Sequence, residues 1–319
     1  MIEERETMKQ GKPRHFLRVL DLTSEEIERV LEGAFRLKRQ KQAGIQSFPA
    51  TGKSLGLLFE KPSTRTRVSF EAAMFTLGGQ VTFMSSKDLQ LQRGEPIKDT
   101  ARVLSRYLDC VVIRTFGQSV VDEFAEWSEI PVINGLTNEH HPCQALSDIM
   151  TVMERKGHDC SGLSVAWVGD GNNVCHSWIE LSARLGFSLT VACPKGFEPD
   201  EAILKEARTQ GAKVEIVEDP IEAVRSAQVI NTDVWASMGQ EDEAERRREV
   251  FMPYQLNSTL LSHAPSDAIV LHCLPAHRGE EITEEVLEGP QSVVWDQAEN
   301  KMHLAASILF WALDLRDGV

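Results

Sequence analysis

The sequence predicts an α/β protein of two doubly wound parallel-sheet domains with an active-site cleft between them. Short apolar strands alternate with amphipathic helices along most of the chain, which is the pattern of βαβ units. The length of 319 residues exceeds what one core comfortably fills, so two domains are expected. Polar segments follow several of the strands, and doubly wound sheets bind their ligands at those strand ends.

The first half begins with a helix whose capping box pairs Thr23 with Glu26. An apolar face at helical spacing follows, made of Ile27, Val30, Leu31, Ala34 and Leu37. Strands and helices then alternate, with strands at 54–59, 79–84, 110–113 and 131–134 and helices at 66–78, 97–108 and 119–129. A longer helix begins at Pro142 and is expected to cross between the domains.

The second half repeats the alternation. Its predicted strands are 163–168, 188–192, 213–217, 228–232, 268–272 and 292–295. A charged run at 236–250 predicts a mobile loop or a short helix. The expected division is a first domain at 1–145, a second at 146–297, and a final helix at 298–319 that folds back on the first.

Composition narrows the class of protein. The formal charge of −14 argues against a general nucleic-acid binder, which needs a net basic face. The start of the chain lacks the apolar core of a signal peptide, and no apolar run approaches the roughly 20 residues that span a bilayer. Six cysteines without a CxxC pair are expected to be reduced thiols, at 110, 143, 160, 175, 193 and 273. These features predict a cytoplasmic protein without membrane contact.

The segment FEKPSTRTRVSFE (59–71) concentrates hydroxyl and guanidinium groups at a predicted helix start. Free backbone N–H groups and the helix dipole favour an anion there. Hydroxyls add donors, and arginine offers a fork for phosphate. Ser63, Thr64, Arg65 and Thr66 could cradle an anion, or they could cap an exposed helix. Composition alone leaves both interpretations open.

Two further polar segments belong to the same predicted sheet. Arg114 follows an apolar strand, where a lone arginine is more often an ion-pair partner than a catalytic group. His141 and Gln144 lie three apart in HHPCQ, so both can face one side of a first helical turn. Histidine can donate to a carbonyl oxygen, and glutamine can donate and accept. Zinc binding and plain helix capping are the alternatives, and zinc is disfavoured because no other ligands have recognisable spacing.

The second half offers three candidate segments. VGDGNN (168–173) begins like a dinucleotide fingerprint but has Val174 where the third glycine belongs, and no acidic residue ends the next strand. DVWASMG offers Asp233, with one carboxylate, and a serine hydroxyl near the charged run. HCLPAHRG places Cys273 between two histidines, which suggests either a thiol nucleophile or a small buried thiol.

The motifs occur in one order: FEKPSTRTRVSFE, KDTARVLSRY, HPCQALSD, DVWASMG and HCLPAHRGEEIT. In that order they resemble the ornithine carbamoyltransferases over nearly the whole chain. STRTR and HPxQ are shared with aspartate carbamoyltransferases, whereas SMG and HCLPAHRG are similar to the ornithine branch. The resemblance implies conversion of carbamoyl phosphate and L-ornithine into L-citrulline and phosphate, in arginine metabolism.

The resemblance also implies site residues at the matching positions. Carbamoyl phosphate would be bound by Ser63, Thr64, Arg65, Thr66, Gln90, Arg114, His141, Gln144 and Lys301. Ornithine would be bound by Asn173, Asp233, Ser237, Met238, Cys273 and Leu274. The expected catalytic groups are Arg114, His141 and Cys273. Gln90 matches a position that contacts a neighbouring subunit's site, which implies a homotrimer or a multiple of trimers. Lys301 stands where the family often has arginine.

The implied chemistry needs no metal or organic cofactor, because carbamoyl phosphate is already activated. The neutral δ-amine of ornithine would attack the carbonyl carbon, and Arg114, His141 and Thr66 are suitable donors for the developing oxyanion. Two alternative functions from other classes are a nucleotide-binding dehydrogenase built on GDGNN and a non-catalytic homologue that binds or regulates. The nearly complete set of matching positions counts against the non-catalytic homologue.

Overall fold

Two parallel sheets organise the chain. The computed structural model describes residues 13–85, 94–236 and 243–316. The strands of the first half are β1 (Ser54–Phe59), β2 (Gln80–Ser85), β3 (Cys110–Arg114) and β4 (Val132–Leu136). They pair in parallel in the order β2-β1-β3-β4. Strands β3 and β4 are buried along their whole length, as expected for sheets covered on both faces.

Helices cover both faces of this sheet. They are α1 (Ser24–Gln42), α2 (Thr64–Thr76), α3 (Ile97–Leu104), α4 (Gln118–Trp127) and α5 (Pro142–Lys156). The predicted capping box of α1 is confirmed, because the Thr23 hydroxyl accepts from the Glu26 N–H at 3.2 Å and the Glu26 carboxylate accepts from the Thr23 N–H at 3.1 Å. Helix α1 buries its predicted apolar face, apart from the half-buried Leu37.

The second half forms a five-stranded sheet. Its strands are β5 (Ser164–Val168), β6 (Ser188–Ala192), β7 (Lys213–Val217), β8 (Val229–Thr232) and β9 (Ile269–His272). They are parallel in the order β7-β6-β5-β8-β9. The helices are α6 (Asn173–Leu185), α7 (Glu201–Thr209), α8 (Pro220–Val224), α9 (Ala244–Phe251), α10 (Ser258–Leu261), α11 (Glu284–Leu287) and α12 (Val294–Ala312). The fold class predicted from the sequence, two parallel-sheet α/β domains, is confirmed.

The strand predicted at 292–295 is wrong. Ser292 forms a single parallel bridge with Val270, and the Val293 N–H donates to the Val270 carbonyl at 3.0 Å. The chain then turns into α12 at Val294, so the apolar run SVVW divides between a one-residue bridge and the first turn of a buried helix. A short apolar run fits either structure, and periodicity does not separate them. Helix α12 therefore starts four residues before the expected position, 298.

Helices α5 and α12 connect the two halves. Helix α5 runs from the first sheet towards the second and is buried from Pro142 to Met153. Helix α12 packs against α1, α2 and α5. A single apolar cluster extends from α1 through α5 and α12 to β5 and α6. Among the helices of the described ranges, none is long and apolar enough to cross a membrane.

A segment before α1 also crosses to the second half. The Arg18 guanidinium binds the Glu206 carboxylate with both nitrogens, at 2.7 and 3.0 Å. The Val19 N–H donates to the buried Glu180 carboxyl at 2.9 Å. Arg184 donates to the Leu22 carbonyl at 2.7 Å. Polar groups from α6 and α7 thus hold this segment against the second domain.

Candidate active site

The predicted site segments follow the strands at the switch points of the two sheets. In the first sheet, β1 and β3 are neighbours whose connections leave in opposite directions along the sheet, and in the second sheet β5 and β8 have the same relation. A crevice opens outside the carboxyl ends of strands at such a point. The segments beginning at Glu60, Thr115, Gly169 and Asp233 follow these four strands. The topology therefore explains why residues far apart in sequence converge.

The STRTR turn begins α2. Ser63 is the N-cap, and its hydroxyl accepts from the Thr66 N–H at 3.2 Å. Arg67 forms an ion pair with Glu71 at 2.9 Å and lies over the Phe83 ring, whereas Arg65 has no hydrogen bond or ion pair among the described residues. Ser63 therefore caps the helix, as one interpretation of the motif predicts, while the role of Arg65 in binding an anion stays a prediction.

Arg114 ends β3 at an irregularity in the sheet. Ile113 pairs with Asn134 but Arg114 pairs with Leu136, so Gly135 is an extra residue on β4. Bulges of this kind redirect a side chain and are frequent beside active sites. A side chain at Gly135 would meet Val112 at 3.0 Å, so glycine fits the bulge.

The Arg114 guanidinium is buried without an ion pair in the described ranges. Its Nε atom has no hydrogen-bond acceptor there. Burial first, then the positive charge of Arg65, lowers the pKa of Arg114 to about 10. The two guanidinium groups therefore lie close enough for their charges to interact, as a shared anion site requires.

The start of α5 brings a histidine, a glutamine and a lysine together. His141 is the N-cap residue, and Gln144 lies in the first turn, as the spacing predicts. Lys301, on α12, donates to the Gln144 side-chain oxygen at 2.6 Å. The Nδ1 atom of His141 is buried without a partner among the described residues.

Burial and charge lower two pKa values in this cluster. Burial, followed by the charge of Arg114, lowers the pKa of Lys301 to about 8. Burial, followed by Lys301 and Arg114, lowers the pKa of His141 well below its usual value, so His141 is neutral at pH 7. A neutral imidazole next to two cations is a hydrogen-bonding group rather than a third charge.

A carboxylate and a thiol face this cluster from the second half. The Cys273 thiol donates to Asp233 Oδ1 at 3.0 Å, and the Asn172 amide donates to Asp233 Oδ2 at 2.8 Å. Removal from water, followed by the Asp233 carboxylate, raises the pKa of Cys273 well above its usual value. The charges of Arg114 and Lys301 interact with Cys273, so the thiol lies near these cations as well as beside the carboxylate.

Asn173 and Asp233 were both predicted to bind ornithine, but their side chains form different contacts. Its amide donates to the Thr137 carbonyl of the first half at 2.6 Å, while Asn172 both caps α6 and contacts Asp233. Leu274 follows Cys273 with a positive φ of 56° and a cis peptide bond to Pro275. Gln90, Ser237 and Met238 lie outside the described residues, and so does most of the loop predicted at 236–250 before α9.

The glycines of GDGNN are explained by packing. The Gly171 N–H donates to the Phe197 carbonyl at 2.9 Å. A Cβ atom at Gly171 would lie 2.3 Å from the Pro199 nitrogen, so the neighbouring backbone leaves no room for a side chain. Packing therefore explains the glycine at position 171, and pyrophosphate binding is not needed to explain it.

The donor set fits a metal ion poorly. Donor atoms of Asp233, His272 and Cys273 lie within 4.8 Å of one another. Both ring nitrogens of His272 are engaged, because Nδ1 accepts from the Leu274 N–H at 2.9 Å and Nε2 lies 3.0 Å from the buried Glu281. The His272 ring therefore already forms hydrogen bonds that hold the loop. The Asp233 carboxylate already accepts from the Cys273 thiol and the Asn172 amide.

Three residues of the site were missed from the sequence. Asn172 is an asparagine before a predicted helix, and its N-cap preference was an available signal. Asp148 lies one turn after Gln144 in HPCQALSD and accepts from its amide at 2.7 Å. Gln297 reaches Asp148 from α12 at 2.6 Å, and nothing local in the sequence indicates that contact.

Together the fold and site define a class, a two-domain α/β enzyme with a cluster of cationic side chains on one domain and a carboxylate–thiol pair on the other. Comparison with known proteins identifies its family. The carbamoyl-P binding domain of aspartate/ornithine carbamoyltransferases matches residues 14–154, and the Asp/Orn binding domain matches 161–312. The chain belongs to the aspartate/ornithine carbamoyltransferase family.

Individual relatives agree with this assignment. The chain is 57% identical over 298 residues to the ornithine carbamoyltransferase of Desulfotalea psychrophila, covering 93% of this chain and 98% of that protein. The structure of ornithine carbamoyltransferase from Pyrococcus furiosus matches with a TM-score of 0.90 at 50% identity, covering 94% and 96%. The anabolic enzyme from Campylobacter jejuni matches with a TM-score of 0.89 at 40% identity, covering 94% and 99%.

Proposed function

We propose that the protein transfers the carbamoyl group of carbamoyl phosphate to the δ-amine of L-ornithine, giving L-citrulline and phosphate in arginine metabolism. The δ-nitrogen forms a bond to the carbonyl carbon and loses a proton, while the bond from that carbon to the phosphate oxygen breaks. The observation that carries the proposal is the cluster of Arg114, His141 and Lys301 near Cys273, whose thiol donates to Asp233.

The cations account for the first substrate. Arg65 and Arg114 lie close together, and neither has an ion pair in the described ranges. The start of α2 adds free N–H groups and the hydroxyls of Ser63, Thr64 and Thr66. A phosphate dianion there offsets the repulsion between the guanidinium groups, and the leaving phosphate gains charge as the C–O bond breaks, so this site binds the transition state more tightly.

Three donors are proposed for the carbonyl oxygen. Arg114, His141 and Thr66 are buried, so negative charge that develops there meets donors in a site with little water. One such donor contributes about 3 kcal/mol to the transition state. Gln144 accepts from Lys301 and is proposed to hydrogen-bond the carbamoyl amide, while Lys301 supplies charge near the phosphate.

The carboxylate–thiol pair accounts for the second substrate. Asp233 is proposed to bind the α-ammonium group of ornithine, with Asn173, Ser237, Met238 and Leu274 completing the site. The raised pKa of Cys273 means that its thiol is protonated at neutral pH. Cys273 is therefore proposed to orient the δ-amine rather than attack as a thiolate, and ornithine binding would displace its hydrogen bond to Asp233.

The proposed assembly is a homotrimer or a multiple of trimers, with Gln90 reaching a neighbouring subunit's site. Its support is the resemblance at that position. Sedimentation equilibrium should give a mass of about three chains or a multiple of it, and a monomer at assay concentration would contradict the proposal.

We also propose that the domains divide between residues 145 and 146, with 298–319 returning to the first domain. The proposed location of the protein is the cytoplasm.

Steady-state assays of the purified protein test the function. With carbamoyl phosphate and L-ornithine, citrulline and phosphate should appear in equal amounts. Turnover with aspartate or putrescine but not with ornithine would assign the chain to a sister activity. Calorimetry with NAD should show no binding, whereas binding would favour the dehydrogenase hypothesis.

A further inference from the structure

Asp148 is a buried carboxylate behind the proposed site. It lies on α5, one turn after Gln144, and is 0% exposed. Its Oδ1 atom accepts from Gln144 at 2.7 Å and from Gln297 at 2.6 Å, and its Oδ2 atom accepts from the Trp178 indole at 3.2 Å. Burying a carboxylate without a contacting cation is costly, so three neutral donors have to hold it.

The carboxylate determines how two amides point. An ionised carboxylate only accepts hydrogen bonds, so each glutamine must turn its NH₂ group to Asp148. The oxygen of Gln144 is then left to accept from Lys301, at 2.6 Å. The oxygen of Gln297 is left to accept from the His272 N–H, at 2.9 Å. Reversing either amide would place two oxygens, and two donors, against each other.

The two amides lead to opposite sides of the site. Gln144 and Lys301 belong to the carbamoyl phosphate side. His272 is the last residue of β9 and immediately precedes Cys273, on the ornithine side. Asp148 is thus connected to both substrate subsites through one glutamine on each side.

Asp148 also supplies the negative charge of this cluster. Besides the neutral His141, the ionisable groups that interact with the Lys301 charge include Arg114, Cys143, Cys273 and Asp148. Burial raises the pKa of both thiols far above neutral, so they are uncharged. Burial also raises the pKa of Asp148, to about 6, which still leaves it ionised above neutral pH. Its charge therefore favours the protonated form of Lys301.

We infer that Asp148 is a positioning residue that fixes the amides of Gln144 and Gln297 and thereby aligns both substrate subsites. The inference rests on the proposed function. The competing explanation is that Asp148 only stabilises the packing of α5 against α6 and α12.

The test compares Asp148→Leu with Thr151→Val, a control on the same helix. Leucine removes the acceptor of both glutamine amides, whereas asparagine could keep its carbonyl oxygen at the Oδ1 position that both amides bind. Thr151 accepts from Asn300 of α12 at 2.9 Å, so the control also removes a buried contact between α5 and α12 but leaves both glutamines in place. Asp148→Leu should lower kcat/KM for both substrates by about tenfold or more, while Thr151→Val changes it less than about threefold. Equal losses in the two variants would overturn the inference.

A pH profile separates positioning from packing. Loss of the Asp148 charge should move the alkaline limb of carbamoyl phosphate binding to lower pH in Asp148→Asn but not in Thr151→Val. An alkaline limb at the same pH in Asp148→Asn and wild type would show that the Asp148 charge does not support the protonated form of Lys301. If the wild-type protein forms no citrulline, the proposed function fails rather than this inference. The alkaline limb can then still be measured by calorimetric titration of inorganic phosphate at several pH values.

Gln297→Met keeps the inference testable if Asp148→Leu does not fold. The methionine has a similar size and cannot hold the His272 N–H, but Gln144 keeps its bond to Asp148. The KM for ornithine should rise about tenfold or more while the KM for carbamoyl phosphate stays within about twofold. Equal changes in both KM values, or none, would contradict the division of the two amides between the subsites.

Discussion

At the scale of single residues, the site is dominated by buried cations. Arg114 and Lys301 are each about nine-tenths buried or more, and neither forms an ion pair with a described residue. Burial of charge is costly without a partner. In the proposed function carbamoyl phosphate supplies that partner, and its binding would offset the cost of burying the cations.

Lys301 predicts an alkaline limit to carbamoyl phosphate binding. Its pKa is lowered to about 8, so above that pH the free enzyme loses the charge that the phosphate requires. The Kd should rise as pH increases through about 8, by up to about tenfold per unit. Lys301→Arg stays charged, so its Kd should remain flat to higher pH. Calorimetry between about pH 6.5 and 9.5 checks this, and a coincident limb in both proteins would contradict it.

The two arginines of STRTR predict different mutant phenotypes. Arg65→Ala should lower kcat/KM for carbamoyl phosphate by about 100-fold or more, because a charge-assisted contact to the phosphate is lost. Arg67→Ala removes only the pair with Glu71 and the stacking on Phe83, so its loss should be at least tenfold smaller. Steady-state kinetics with circular dichroism as a folding control measures both, and equal losses would refute the assignment of the phosphate to Arg65.

At the scale of elements, strand ends and helix starts place the chemistry. Ser63 caps α2, Asn172 caps α6, and His141 begins α5, so three helix N-termini carry site residues or their neighbours. Arg114 ends β3, and Asp233 directly follows β8. Rigid elements thus hold groups that a loop alone would leave imprecise.

The glycine that precedes α6 gives a prediction at this scale. Gly171→Ala should destabilise the protein by about 1–3 kcal/mol, because the new Cβ atom would overlap the backbone at Pro199. Gly162→Ala is the control, since a Cβ atom at that position would have no described heavy atom within 4 Å beyond its chain neighbours. Urea denaturation measures both, and a neutral Gly171→Ala would remove the packing explanation.

Most of the strands and helices were predictable from the sequence. Alternating apolar runs predicted each of the nine strands in the described ranges to within about two residues, and SLTVA and KVEIV to the residue. The remaining candidate, SVVW, failed because a one-residue bridge leads directly into α12. In the site, motifs identified Arg114, His141 and Cys273, but Gln297 and Asp148 meet through tertiary packing between residues 149 positions apart.

At the scale of the whole molecule, the two domains share buried polar contacts as well as a core. Glu180 of α6 accepts from the Val19 N–H, and its other oxygen lies 3.7 Å from His140 Nδ1. Burial raises the pKa of Glu180 to about 8 and lowers that of His140 to about 4. Both groups are therefore mainly neutral near pH 7, and the interface is sensitive to their ionisation.

Glu180 predicts how stability depends on pH. Because its pKa is raised in the folded state, the fold favours the protonated acid, and stability should decrease as pH rises from about 5 to 8. Glu180→Gln cannot ionise, so its free energy of unfolding should fall by at least ~1 kcal/mol less over that interval. Urea denaturation at about pH 5, 6.5 and 8 measures the difference. The exposed Glu28→Gln is the control, and parallel curves for wild type and Glu180→Gln would contradict the prediction.

The most direct test of the whole account is a competition between amines. The purified protein receives carbamoyl phosphate labelled with ¹³C at the carbonyl, together with equal concentrations of L-ornithine, L-aspartate and putrescine, and the labelled products are identified by mass spectrometry. The account predicts that almost all of the label appears in citrulline. Label mainly in carbamoyl aspartate or carbamoyl putrescine, or no enzymatic transfer at all, would contradict it.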